Sequence, residues 1–133
     1  MTLADLKEKS IALIAQELGD DFNVTTTLAL YTVPTGKEFT PFAVCISKSS
    51  GSMTTATVSF GQSGALTDFL GTQTLTGINA SGDAVWMQPV TTGATPVGIV
   101  TYTAGEIFSM DHVAAQGAGM TADVSVFGFL NDA

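Results

Sequence analysis

The sequence predicts an all-β protein: an antiparallel, jelly-roll-like β-sandwich of about eight strands, preceded by an N-terminal α-helical arm. Three observations predict it. From Asp20-Asp21 onward, short stretches rich in Thr, Ser, Val and Phe alternate apolar and polar residues. Breaks containing Gly or Pro separate these stretches at roughly 8–12-residue intervals with no helical pattern between them, whereas parallel strands require long crossovers. Residues 2–18 instead space their apolar residues as a helix does. A chain of 133 residues is long enough for one domain with a sizeable core, divided here into an arm over 1–19 and a sandwich over 20–133.

The arm is read from Leu3, Leu6, Ile11, Leu13, Ile14 and Leu18, with Thr2 and Asp5 as a weak capping pair and Gly19 placed to stop the helix. In the first strand Val24, Leu28 and Leu30 share a face with two threonines, and Val33-Pro34-Thr35-Gly36-Lys37 breaks it with Pro at a first turn position. Phe42, Val44 and Ile46 then share one face and Ala43 and Cys45 the other, so this strand reads as central and buried on both sides. Ala56, Val58 and Phe60 form the next strand, a loop is expected over Gly61 to Gly71, and a short segment follows over Thr74 to Ile78. Asn79-Ala80-Ser81-Gly82-Asp83 is a turn, followed by strands over 84–90 and 97–103. The turn Ala104-Gly105 leads into a strand over 107–113, and the Gly-rich stretch Gln116 to Gly119 into the last strand over 122–130. No internal repeat, charge run or low-complexity linker interrupts this order.

Charge removes several functional classes. Four Lys, no Arg and twelve Asp and Glu give a net charge of −8, and a nucleic-acid binder needs clustered cations to displace counterions from phosphates. No direct contact with DNA or RNA is expected. No apolar run approaches the roughly 18–20 residues that span a bilayer, so no membrane partner is expected. Charged residues from Asp5 to Glu17 occupy the place where a Sec-type signal would be apolar, so none is expected. The single Cys45, between Val44 and Ile46, reads as a small buried hydrophobe.

Residues that carry chemistry elsewhere find no convergent arrangement here. A histidine metal site needs two or three imidazoles, and the chain has one. Asp111 and His112 beside Ser109 would point to opposite faces of a strand, so they read as a solvated pair near a strand end and not as a triad. Gly36-Lys37-Glu38 lacks the glycines of a phosphate loop and reads as a hairpin turn. Asp68, Asp83, Glu106 and Asp123 are scattered carboxylates that nothing pairs for glycoside hydrolysis. Asp20, Asp21 and Asn23 are dense in oxygen but match no calcium loop. Trp86, Met87 and Tyr102 offer a sugar-stacking platform, although an apolar strand makes a core role the default for Trp86. Asn23-Val24-Thr25 and Asn79-Ala80-Ser81 match the glycosylation acceptor pattern and, with no export signal expected, carry no weight. The chain is therefore expected to be no enzyme and to take no metal or cofactor.

The arm has apolar residues on more than one side, so it needs a surface to cover: its own sheet or another subunit. Leu6, Ile11, Ile14 and Leu18 are the candidate oligomer or capsid contacts.

Three stretches together carry a resemblance: Leu30-Tyr31-Thr32-Val33-Pro34-Thr35-Gly36-Lys37, Thr57-Val58-Ser59-Phe60-Gly61, and Ala122-Asp123-Val124-Ser125-Val126-Phe127-Gly128-Phe129-Leu130. In style and order, residues 24–130 resemble small β-sandwich virion proteins of tailed bacteriophages. The resemblance implies a head decoration or cement protein, a homotrimer that sits on the lattice of the major capsid protein and braces it against internal DNA pressure. It would be made in the host cytoplasm and reside on the virion surface. A carbohydrate- or receptor-binding module of a fibre or tail is the alternative. A lightly charged surface rich in Thr, Ser and Gly suits shape-based contacts, and without Arg those contacts should be mainly apolar and main-chain.

Overall fold

A computed structural model describes residues 10–90 and 93–133. Among the described residues are nine strands: β1 Ala12–Asp21, β2 Thr27–Thr32, β3 Lys37–Ser47, β4 Thr57–Gln62, β5 Ala65–Thr74, β6 Val85–Met87, β7 Tyr102–Thr103, β8 Ile107–Ala114 and β9 Thr121–Asp132. They form two antiparallel sheets, one ordered β1-β9-β3-β6 with β7 also paired to β3, the other ordered β2-β8-β4-β5. The protein is an all-β, two-sheet structure with the build of a β-sandwich, because each strand exposes an apolar face that only the other sheet can cover.

The core lies between the sheets. Phe39, Val44 and Ile46 from β3 and Val124 and Val126 from β9 meet Val58 and Phe60 from β4 and Phe108 and Met110 from β8, all essentially inaccessible to solvent. Their spacing is the two-residue period of strands buried on one face. β3 departs from it once. Pro41 pairs with Gly128 and Ala43 with Phe127, so Phe42 is an extra residue in a bulge and leaves the face that Val44 and Ile46 share. Proline is tolerated there because it sits at the bulge in the β9 ladder, and on the other side β7 pairs only with Glu38 and Phe39 and β6 only from Val44 on.

The helical arm is corrected where the structure describes it. Residues 12–21 are a strand on the edge of the first sheet, paired with β9, and the boundary expected at residue 19 falls inside it. Residues 1–9 of the expected arm, including Leu6, lie outside the described residues. The physical reason is a pair of bulges. Extra residues at Ile14 and at Leu18-Gly19 reset the strand's two-residue alternation and give apolar spacings that resemble 3.6. Gly19 supplies φ +64°, and its N–H donates to the Asp123 carboxylate at 2.9 Å. The glycine read as a helix stop therefore turns a bulge, a use of the same left-handed conformation.

Two further expectations change. The loop expected over Gly61–Gly71 contains most of β5, whose Phe69 is buried, because Leu66, Phe69 and Leu70 are offset by bulges against β4. The strand expected over 97–103 contracts to Tyr102–Thr103.

A buried tie joins the sheets at β7. The Tyr102 hydroxyl donates to Asp68 Oδ1 on β5 at 2.5 Å, and the same oxygen accepts from the Gln62 N–H at 3.2 Å. Burial, then the bond to this carboxylate, holds the phenol well above its ordinary range. Below about pH 10 the phenol is neutral in both folded and unfolded chains. Above it the unfolded chain ionises first, so this contribution to stability falls as pH rises. Tyr102→Phe should cost about 1.5–3 kcal/mol near neutrality, the range for a bond to a charged group, and should flatten the alkaline limb of stability measured by urea unfolding. An unchanged alkaline limb would rule the tie out as its source.

Candidate functional site

The residues that carry potential chemistry are dispersed, each engaged locally. Asp68 holds Tyr102; Asp83 Oδ2 accepts the N–H groups of Asn79 and Ala80, both at 3.0 Å; Glu106 Oε1 accepts from the Thr103 N–H and hydroxyl; Asp123 holds Gly19. The Thr103 bonds keep the exposed Glu106 carboxyl below its usual range. Asp21 accepts from the Asn23 N–H and Asn23 from the Gly117 N–H, so the acidic junction caps turns. Among the described residues no three His, Cys, Asp or Glu side chains are grouped to hold a metal.

Asp111 and His112 diverge as strand neighbours must. Asp111 accepts from the Thr27 hydroxyl at 3.3 Å, while His112 turns inward and is 2 % exposed. The expected solvated pair is thus half wrong: His112 is a core residue whose Nε2 lies 2.8 Å from Asp20 Oδ2. Neither atom makes a hydrogen bond within the fold, so this is a close contact and not an aligned hydrogen bond.

What the fold does bring together is the outer face of the first sheet. On β9 the inward positions are Val124, Val126 and Leu130, which leaves Asp123, Ser125, Phe127 and Phe129 facing out. The register places Leu13, Phe127 and Ala43 in one row across β1, β9 and β3. The next row runs Gln16, Ser125, Cys45 and Trp86 across all four strands. Trp86 is 53 % exposed and Leu13 51 %. The Trp86 ring leans on Phe127 with centroids 5.3 Å apart. Between Glu38 and Asp123, the outward positions of β3 and β9 hold no charged side chain. Its polar groups are engaged with one another: Gln16 donates to the Ser125 hydroxyl at 3.1 Å and the Trp86 N–H to Gln88 at 3.1 Å.

Trp86 is therefore no core residue, because β6 presents Val85 and Met87 inward and the ring between them outward. Cys45 is half-buried on the same face, and burial pushes its thiol up. Of the four candidate contacts, Ile14 packs against the core, Ile11 and Leu18 are exposed, and Leu6 is outside the described residues. Leu13 and Phe127 were not among the candidates. Their signal in the sequence is the apolar residues on both faces of 124–130, where a one-sided strand alternates.

No known family model, no curated protein and no solved structure matches this chain.

Proposed function

We propose that this protein is a structural virion protein, a head decoration or cement component that acts by binding and not by catalysis. It assembles as a homotrimer, its copies meeting through the outer face of the β1-β9-β3-β6 sheet. The trimer binds the outer surface of a shell of major capsid protein. The observation that carries the reading is the apolar patch of exposed Leu13 and Trp86 beside the part-buried Phe127, on a face without central charges. Contiguous exposed apolar surface marks an interaction site. Charged residues are depleted, and aromatics enriched, at the centre of such interfaces. The division of β1, β3, β6 and β9 to one sheet and β2, β4, β5 and β8 to the other is a jelly-roll winding. That winding and the sequence resemblance to small phage virion proteins support the particle context.

The chain's one Trp and one Cys both lie on this face, so it carries its own probes. In sedimentation equilibrium the full chain is expected at the mass of three chains. On association, Trp86 emission should shift to the blue and Cys45 should react more slowly with a thiol reagent. Trp86→Lys or Leu13→Lys should weaken association by about 2 kcal/mol or more per contact, as for a buried aromatic or apolar anchor. Val113→Lys, on β8 of the other sheet, should leave it unchanged. Co-sedimentation with capsids lacking the protein tests the decoration role, and a protein indifferent to capsids removes it.

A carbohydrate-binding module is the second reading, favoured by the half-exposed Trp86 ring beside Phe127. Oligosaccharide quenching of Trp86 emission in the monomer would select it.

A further inference from the structure

Exposed apolar side chains gather on two opposite edges of the first sheet. Among the described residues eight large ones are exposed, and all but Val113 stand there. Ile11, Leu13 and Leu18 lie on or beside β1, the strand at one edge. Trp86 on β6, and Val90, Val97 and Ile99 in the connection from β6 to β7, lie at the other. β6 and β7 both pair with β3 on the side away from β9. The Thr101 and Thr40 hydroxyls, 2.8 Å apart, tie the end of the connection to the same side of β3. The edge strands of the second sheet, β2 and β5, carry none of these exposed side chains.

Neither apolar edge is guarded by charge. A free sheet edge is normally blunted by charged side chains, yet residues 11–16 carry none, and neither do 85–90 or 93–101. In a chain of net charge −8, copies meet with least repulsion where charge is absent. The two edges also match in direction. Four strands in antiparallel order make β1 and β6 run oppositely, so β1 of one copy set beside β6 of another continues the alternation. Charge is complementary at one end. Glu17 is exposed and stands level with Ile46 through Val124. Lys48 follows two residues later, exposed and without an ion pair among the described residues. Copies in a ring whose axis follows the strands are related without translation along it, so the acidic end of β1 meets the Lys48 end of its neighbour.

We propose that a second copy of this chain covers each edge, with β1 of one copy packed head to tail on the β6–β7 edge of the next. A two-fold pairing of β1 with β1 would leave the Trp86 edge in water, whereas a head-to-tail contact covers both edges with one interface. Leu13 and Trp86 both face outward from the sheet. They converge when neighbouring sheets tilt their outer faces toward a common axis, which closes the assembly as a ring instead of a fibre. Pro89 and Pro96 lack the N–H that a ladder needs, so side chains and not main-chain pairing make the contact. The inference rests on the self-association proposed above and not on the capsid partner, and it names which margins of the outer face meet.

Cross-linking of the full chain in solution tests it, on a Cys45→Ser background so that each variant carries one thiol. Gln16→Cys marks the β1 edge and Gln88→Cys the opposite edge, both at exposed positions. A short bismaleimide should join the two variants once they have been mixed and allowed to exchange, giving a two-chain band on a denaturing gel. Neither variant alone should cross-link. A two-chain band from either variant alone shows a two-fold contact and overturns the proposal, as does a mixture that gives no band. Ile99→Lys, with Cys45, Leu13 and Trp86 left in place, should weaken association about tenfold or more in sedimentation equilibrium, the loss expected of a contact residue. Association unaffected by Ile99→Lys overturns the edge contact and leaves the reading above standing. An unmodified chain that stays at the mass of one chain overturns both.

Discussion

Replacing Phe108 by alanine is expected to destabilise the protein by about 3–5 kcal/mol, the range for a buried aromatic truncated in a core that cannot collapse around the gap. Phe108 is inaccessible to solvent and stands where both sheets meet. Its ring packs on Phe39 from β3, Phe60 from β4, Phe69 from β5 and Tyr102 from β7, with centroids 5.4–6.2 Å apart. Two of these pairs are edge-to-face and one is stacked, arrangements that add about 0.5–1.5 kcal/mol each beyond area burial. The neighbours sit on four different paired strands, so closing the cavity would require several strands to move together. Against a total stability of about 5–15 kcal/mol for a domain, the variant should be marginally folded. Urea unfolding followed by Trp86 emission measures it, with Phe127→Ala as the comparison. Phe127 is equally aromatic but faces outward, and should cost well under half as much. A Phe108→Ala loss near that of Phe127→Ala would show that the cluster is not the centre of the core.

The difference between these two phenylalanines also marks what could be read from the sequence. The all-β class, the antiparallel order and the strands around Val44, Val58, Met110 and Val126 follow from two-residue alternation, which reports directly on a face buried against another sheet. Where a bulge adds a residue, alternation no longer reports it. At Ile14 and Leu18-Gly19 the broken period of β1 resembles a helix made of good helix formers, and the pairing that overrides it comes from β9, over a hundred residues away. The same cause hid β5, whose partner residues on β4 are offset twice.

The outer face was only partly legible for a related reason. Ile11, Ile14 and Leu18 are candidate contacts on a helix; in the strand Ile14 turns to the core and Leu13 takes the outward place. Trp86 reads as core because Ala84, Val85 and Met87 beside it are apolar, and a three-residue strand shows too little alternation to separate its faces. The Asp20–His112 contact had no signal at all in the sequence. Its two residues are far apart in the chain, and only the sandwich closure brings them to 2.8 Å.

Gly128→Ala is expected to lower stability by about 3 kcal/mol, at or above the upper end of overpacking costs, although the change would ordinarily help. Alanine restricts the unfolded chain, and where the native conformation allows it the exchange stabilises by about 0.4–1 kcal/mol. Conformation does allow it, since Gly128 is not among the residues with positive φ. Space does not. A methyl group built there collides with the Thr40 carbonyl oxygen and lies 2.7 Å from the Phe39 ring and 2.9 Å from Pro41 Cα. Two of these three are main-chain atoms of β3, in the bulge that admits Pro41, so relief requires the β3–β9 ladder to separate at the centre of its sheet. The ring cannot yield instead, because Phe39 is held by Tyr31, Tyr102 and Phe108. Gly71→Ala is the matched control: it too lies within a strand without positive φ, and a methyl group there meets nothing within 4 Å. Thermal unfolding should place Gly128→Ala roughly 10 °C below the parent, from about 3–5 °C per kcal/mol for a domain of this size, and Gly71→Ala at or slightly above it. Equal shifts for the two variants would mean that glycine is retained at 128 for its flexibility and not for the close approach of β3.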